Sequence, residues 1–139
     1  MSDAIELSQP YDTRDRAAIC GYRKVMIDSN AWHLKEFGFW VILKAHGKEV
    51  KYHYSTPKSD GSNTNVKLKW PTGHIVRAFC HTHPKSISTG DFSADDLGQF
   101  RELLKKGINI AFYLMNPYQE IRLAENETDF MQGKSVSWQ

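Results

Sequence analysis

Between residues 13 and 30, apolar side chains return at three- and four-residue steps: Ala18, Tyr22, Val25 and Met26, with Arg14, Arg16, Arg23 and Lys24 between them. That period predicts a helix, and Asp12 or Thr13 can cap it. Further on the apolar positions become adjacent. Glu36-Phe37-Gly38-Phe39-Trp40-Val41-Ile42-Leu43 reads as a strand buried on both faces or nearly so. A turn at His46-Gly47 leads to Glu49–Ser55, which alternates as the second arm of a hairpin. Thr56 to Asn65 is a loop by composition, and Val66 to Trp70 alternates like a partly exposed strand. Pro71-Thr72-Gly73 then turns the chain into His74–Cys80, a strand rich in bulky and β-branched residues. After Ser93 the helical period returns in Leu97, Phe100, Leu103 and Leu104, and Gly107 ends it. Ile108 to Met115 is an apolar strand, Asn116 to Gln119 a turn, and Glu120 to Ala124 a last strand. The order predicts an α/β fold: a sheet flanked by two main helices. Residues 1–139 form a single domain, with 1–11 and 126–139 as loose tails.

Composition narrows the function only by exclusion. With 139 residues the chain is long enough to bury its own core. A formal charge of +2 with no Lys/Arg block gives no support for nucleic-acid binding. No window approaches the ~18 apolar residues of a membrane span, and the N-terminus lacks the charge and apolar run of a secretory signal. The expectation is a cytoplasmic protein, or an exported effector if the chain is cut from a longer secreted one. Cys20 falls in a helical pattern and Cys80 in a strand, so both are read as buried free thiols.

The chemistry is concentrated between His81 and Asp96. His81-Thr82-His83-Pro84 follows a predicted strand, and alternation along it turns both rings to one face, with Cys80 on the other. Pro84 stops the ladder. After a polar loop, Ser93 is placed to cap a helix whose first turn holds Asp95 and Asp96. Strand end and helix start thus bring together two imidazoles and a carboxylate. This is a three-ligand set suited to a catalytic zinc with a fourth position for water. Ser-x-x-Asp is also a capping box, which needs no metal.

Taken together, His81-x-His83-Pro84, a spacer, and Ser93-x-x-Asp96 resemble the JAMM (MPN+) metalloprotease motif. The resemblance runs from about residue 13 to about residue 124 and implies a JAB/MPN-like, cytidine-deaminase-like fold. More narrowly, Glu36-Phe37-Gly38 with Phe92–Leu97 looks like a bacterial branch found in Rhs-type polymorphic toxins. It implies one Zn2+ per chain, held by His81, His83 and Asp96. Glu36 would act as general base on the zinc-bound water, and Ser93 would hydrogen-bond the developing oxyanion. The spacer of eight residues is longer than the usual one of about six, so Asp91 or Asp95 competes with Asp96 for the metal; Asp96 keeps Ser-x-x-Asp intact.

The implied activity is hydrolysis of a peptide or isopeptide bond in a peptide or protein substrate, with ubiquitin-like proteins among the candidates. An immunity protein would accompany a toxin. A cell-wall peptide amidase with the same zinc chemistry and a metal-free binding scaffold of the same fold are the competing readings.

Overall fold

A computed structural model of the chain describes residues 5–61, 66–85 and 90–139. Helix α1, Arg14–Asp28, starts where Thr13 Oγ1 accepts the Arg16 amide at 3.0 Å, an N-cap that satisfies one of the helix's free amides. It buries Ala17, Ala18, Tyr22 and Val25. Small residues let it lie close to the sheet: a Cβ on Gly21 would come within 2.4 Å of the Phe39 ring.

The strands are β1 Gly38–His46, β2 Glu49–Tyr54, β3 Ile75–Thr82, β4 Ala111–Met115, β5 Ile121–Ala124 and β6 Lys134–Val136. They form one mixed sheet in the order β2-β1-β3-β4-β5-β6. Only β3 and β4 run parallel; the other neighbours are antiparallel. A parallel pair needs a crossover, and helix α2, Ala94–Lys105, supplies it. The connection out of β3 therefore leaves from the strand's carboxyl end, where α/β sheets form their ligand crevices.

Alternation sorts the core into two layers. Phe39, Val41, Ala78, Cys80, Tyr113 and Met115 face α1. Trp40, Ile42, Val76, Phe79, Phe112 and Leu114 face the other way, packed with Phe100 of α2 and Phe130. Strand β1 is buried through its first five residues, as a central strand with both faces covered should be. Burying a side chain such as Phe112 or Ile42 contributes about 1.5–3 kcal/mol each. Helix α2 ends in a Schellman turn: Gly107 takes φ +78°, its amide bonds Leu104 O, and the Ile108 amide bonds Leu103 O, each at 2.9 Å.

Four expectations change. Val66–Trp70 is extended and turns Val66, Leu68 and Trp70 inward, but it is not a sheet strand. Two of its amides are taken by side chains, Val66 N by Glu36 and Lys67 N by Asp60. Period-two alternation reports one buried face, not backbone pairing. Residues 126–139, expected as a loose tail, carry a short 3-10 turn, Glu127–Phe130, and strand β6 paired with β5. Phe130 is the reason: its ring packs at tilted and edge-on angles among Phe92, Phe100 and Phe112. At the other end, Ser8 and Tyr11 hydrogen-bond to Tyr54 and Tyr52 of β2, so residues 5–11 are tied down as well. Cys20 is only half-buried, whereas Cys80 is fully buried, and both are free thiols. The loop residues 62–65 and 86–89 lie outside the described residues.

Candidate metal centre

Strand β3 sets the direction of the first imidazole. Phe79 and His81 share a face and their rings stack at 5.4 Å with 7° between planes, while Cys80 turns into the α1 layer. His83 lies one residue past the strand, yet its amide still bonds Met115 O at 3.1 Å. That bond continues the β3–β4 ladder far enough to hold the second ring on the same side. Pro84 has no amide to extend the ladder, and the Lys85 amide bonds His33 O instead.

The carboxylate comes from the start of α2. Ser93 Oγ accepts the Asp96 amide at 3.2 Å, and Asp96 Oδ2 accepts the Ser93 amide at 2.8 Å, a complete capping box. The same carboxylate faces both rings: Oδ1 lies 2.9 Å from His81 Nε2, and Oδ2 lies 3.2 Å from His83 Nε2. Capping and convergence are thus properties of one side chain, not alternatives. All three residues are buried, and one ligand atom from each lies within 4.8 Å of the others. The group can hold a metal ion. Of the three aspartates near the loop, one lies with the rings. Asp95 is exposed, and Asp91 accepts the amides of Phe92 and Gly133, so Asp96 alone of the three joins the two rings.

Alignment separates this cluster from an ordinary ion pair. His81 Nε2 approaches Asp96 Oδ1 to 2.9 Å without a well-aligned hydrogen bond, and His83 Nδ1 and Glu36 Oε2 are buried without hydrogen-bond partners among the described residues. Buried polar atoms are nearly always paired, so these unpaired groups call for an explanation, and an ion would occupy one nitrogen of each ring. A tetrahedral ion with ligands at ~2.0–2.1 Å would separate its donors by about 3.3 Å. The 2.9 and 3.2 Å contacts run to different oxygens of Asp96 and are themselves hydrogen-bond distances, while the three ligand atoms lie within 4.8 Å of one another.

Glu36 completes the site from β1's entry. Phe37 exchanges two backbone-side bonds with Thr82: its amide donates to Thr82 Oγ1 and its carbonyl accepts the Thr82 amide, each at 2.9 Å. This clamp fixes the residue before Phe37 beside the His81-Thr82-His83 segment. Glu36 is 3% exposed, not the solvated strand-edge carboxylate that an isolated Glu at this position would be. Its Oε1 accepts the Val66 amide at 3.1 Å, and Oε2 is unbonded.

The charges follow from burial and proximity. Burial acts to raise the Asp96 carboxyl, but the His81 and His83 rings outweigh it and hold the group far below the usual carboxylate range. Burial disfavours a charged His81 ring, yet Asp96, Glu36 and the Tyr113 carbonyl together push its pKa up. Burial also dominates at Glu36 and raises it, against the opposing pull of His81, the Val66 amide and His83. Glu36 therefore holds its proton more tightly than a solvated carboxyl does.

Sequence reasoning missed the residues that act through the backbone. Thr82 is the unspecified position between the histidines. Tyr22, buried in α1, donates to His81 O at 3.0 Å. Asn116, read as a turn residue, is completely buried: its Nδ2 holds Gly90 O and Glu120 Oε1, and its Oδ1 accepts the amides of Tyr118 and Glu120. It ties the end of the metal loop to the residue after β4. A buried Asn in Asn-Pro has no sequence signature that tells it from an exposed one. A separate cleft of about 390 Å³, lined by Thr13, Arg14, Asp15, Tyr52 and Arg77, shares no residue with this cluster.

Comparisons with protein-family models, curated proteins and solved structures give no match for this chain. Among the described residues, no helix is long and apolar enough to cross a membrane.

Proposed function

We propose that the chain is a zinc-dependent hydrolase of the JAMM type, with a JAB/MPN-like fold, that cleaves a peptide or isopeptide amide bond. The observation that carries the reading is the Phe37–Thr82 clamp, which sets a buried Glu36 with a free Oε2 against His81, His83 and Asp96. Two neutral imidazoles and one carboxylate would hold Zn2+ with one net positive charge and a position for solvent. When bound, the ion supplies acidification of a water and polarisation of a carbonyl.

The chain's own groups account for the remaining proton and charge movements. Glu36 Oε2 accepts a proton from the attacking water and passes it to the leaving amine. The Val66 amide keeps Oε1 occupied, so the reactive oxygen is defined. Ser93 Oγ already accepts the Asp96 amide, which leaves its O–H free to donate to the carbonyl oxygen as negative charge builds there. Phe79, Phe92 and the buried face of Val66 exclude bulk water from one side of the rings.

The Asp96 capping box favours a second reading, a metal-free scaffold in which this carboxylate has only a structural duty. Metal analysis separates the two. The hydrolase should bind about one zinc per chain, and His81→Ala, His83→Ala and Asp96→Asn should each lower the affinity tenfold or more, each removing one of three ligands. The loaded protein should release product from a fluorogenic set of peptide and isopeptide amides, and a chelator should stop it. Full zinc occupancy in all three variants would sink the assignment.

A further inference from the structure

Lysines collect on one side of the candidate centre. Lys35 precedes Glu36. Lys58 exchanges both backbone hydrogen bonds with Gly38, at 2.8 and 2.9 Å. Lys67 follows Val66, whose amide holds Glu36. Lys85 follows His83-Pro84, and its amide bonds His33 O at 2.9 Å. All four are exposed, and none of them has an ion-pair partner among the described residues. Elsewhere Arg14, Lys24, Lys51, Arg101, Lys105, Arg122 and Lys134 each sit beside a carboxylate, whereas Lys44, Lys48 and Lys106 are exposed cations remote from Glu36 in the chain and likewise outside any ion pair among the described residues.

The site itself does not cancel these charges. Glu36 and Asp96 together only balance the two positive charges of a bound Zn2+. Asp60 is the nearby acid on this side, and its Oδ2 accepts the Lys67 amide. On the α2 side the residue exposed at the helix start is an acid, Asp95, whereas the segments tied to the Glu36 side by backbone hydrogen bonds carry the four lysines.

We propose that Lys35, Lys58, Lys67 and Lys85 receive an acidic segment of a polypeptide substrate, laid along the Glu36 side of the scissile amide. This rests on the zinc-hydrolase reading and adds the substrate's chemical class to it. Single exposed pairs contribute little, but several like charges within about a Debye length, ~8–10 Å, steer and select a partner of opposite sign. A polypeptide fits better than a nucleic acid. Trp70, the aromatic ring on the same segment as Lys67, is packed edge-on against Trp40 at 5.3 Å and is not free to stack on a base.

The test uses the full zinc-loaded chain and a fluorescein-labelled glutamate-rich peptide, with a lysine-rich peptide of equal length as the control. The glutamate-rich peptide should bind at least ~10-fold more tightly, and the preference should shrink as salt rises. Reversing Lys67→Glu with Lys85→Glu should cost ~10-fold or more in that affinity. Reversing Lys44→Glu with Lys48→Glu, exposed residues near the far end of β1, should leave it unchanged. Equal binding of the two peptides, equal losses in the two double variants, or tighter binding of a single-stranded oligonucleotide of the same charge would each overturn the proposal. Zinc content of the same samples keeps the two claims apart. Retained zinc without peptide preference removes only the acidic-substrate inference. Peptide preference in a chain that binds no zinc removes the hydrolase reading and the catalytic meaning of the surface with it.

Discussion

The backbone amide of Val66 donates to Glu36 Oε1 at 3.1 Å and leaves Oε2 without a partner. One oxygen of a buried carboxylate is thereby fixed and the other kept available. Glu36→Gln preserves an acceptor for Val66 but removes the basic oxygen. Metal content and melting temperature should stay near wild type, while hydrolysis falls by ~10²–10⁴-fold, the usual worth of a positioned base. Undiminished turnover in this variant would take Glu36 out of the mechanism.

Asp96 both caps α2 and faces the two rings, so its variants should separate those duties. Asp96→Asn keeps an acceptor for the Ser93 amide and should lose metal with little loss of helix stability. Asp96→Ala removes the capping acceptor as well and should cost about a further 1 kcal/mol. Asp91→Asn and Asp95→Asn should retain metal. Equilibrium dialysis together with urea unfolding checks all four; metal loss in Asp95→Asn with retention in Asp96→Asn would reassign the carboxylate.

Removing the metal should leave the fold standing, because both core layers are built from apolar side chains whose packing does not depend on an ion. Far-ultraviolet circular dichroism of chelated protein should match that of the loaded protein, with only a lower melting temperature. Loss of the helical signal on chelation would make the ion structural instead.

The chelated and loaded forms should respond oppositely to pH. His81 and Glu36 have raised folded pKa values, so each binds its proton more tightly when folded. Their stabilisation is complete below the unfolded values, near 6.5 and 4.5, and is lost as pH rises through the folded ones. Asp96 is depressed, so its contribution is present above its ordinary 3.8 and is lost as pH falls through its folded value. The metal-free protein should therefore lose stability from about pH 6 to about pH 8, whereas metal affinity gains as protons stop competing for the ligands. Melting curves with and without chelator at those two pH values should diverge as pH rises; a constant or shrinking gap would contradict this.

Asn116 has every amide hydrogen-bonding position engaged and no exposure. Asn116→Ala strands Gly90 O and the amides of Tyr118 and Glu120, at a cost of about 1–3 kcal/mol per group left unsatisfied. Urea midpoints equal to wild type would show that the clamp on the metal loop is dispensable.

The sequence by itself determined what depends on local periodicity and local chemistry. The 3.6-residue step of Ala18, Tyr22 and Val25 specifies α1. The unbroken apolar run from Phe39 to Leu43 specifies a strand covered on both faces, and Gly107 specifies the end of α2. The positions of His81 and His83 on one strand face and of Ser93 and Asp96 in one helical turn also follow from short-range geometry. Their meeting could be anticipated because only the loop between β3 and α2 separates them. Tertiary structure decided what depends on partners distant in the chain. Val66–Trp70 has a strand's alternation, but its amides met Glu36 and Asp60 before any neighbouring strand. The last residues have a tail's polarity, yet Phe130 finds a ring cluster assembled from α2 and β4. The choice among Asp91, Asp95 and Asp96 needed the backbone of Gly133, which draws Asp91 away. The burial of Glu36 needed Phe37 to pair with Thr82, forty-five residues beyond it. Side-chain identity carries no record of such pairings, because a backbone amide is the same group at every position.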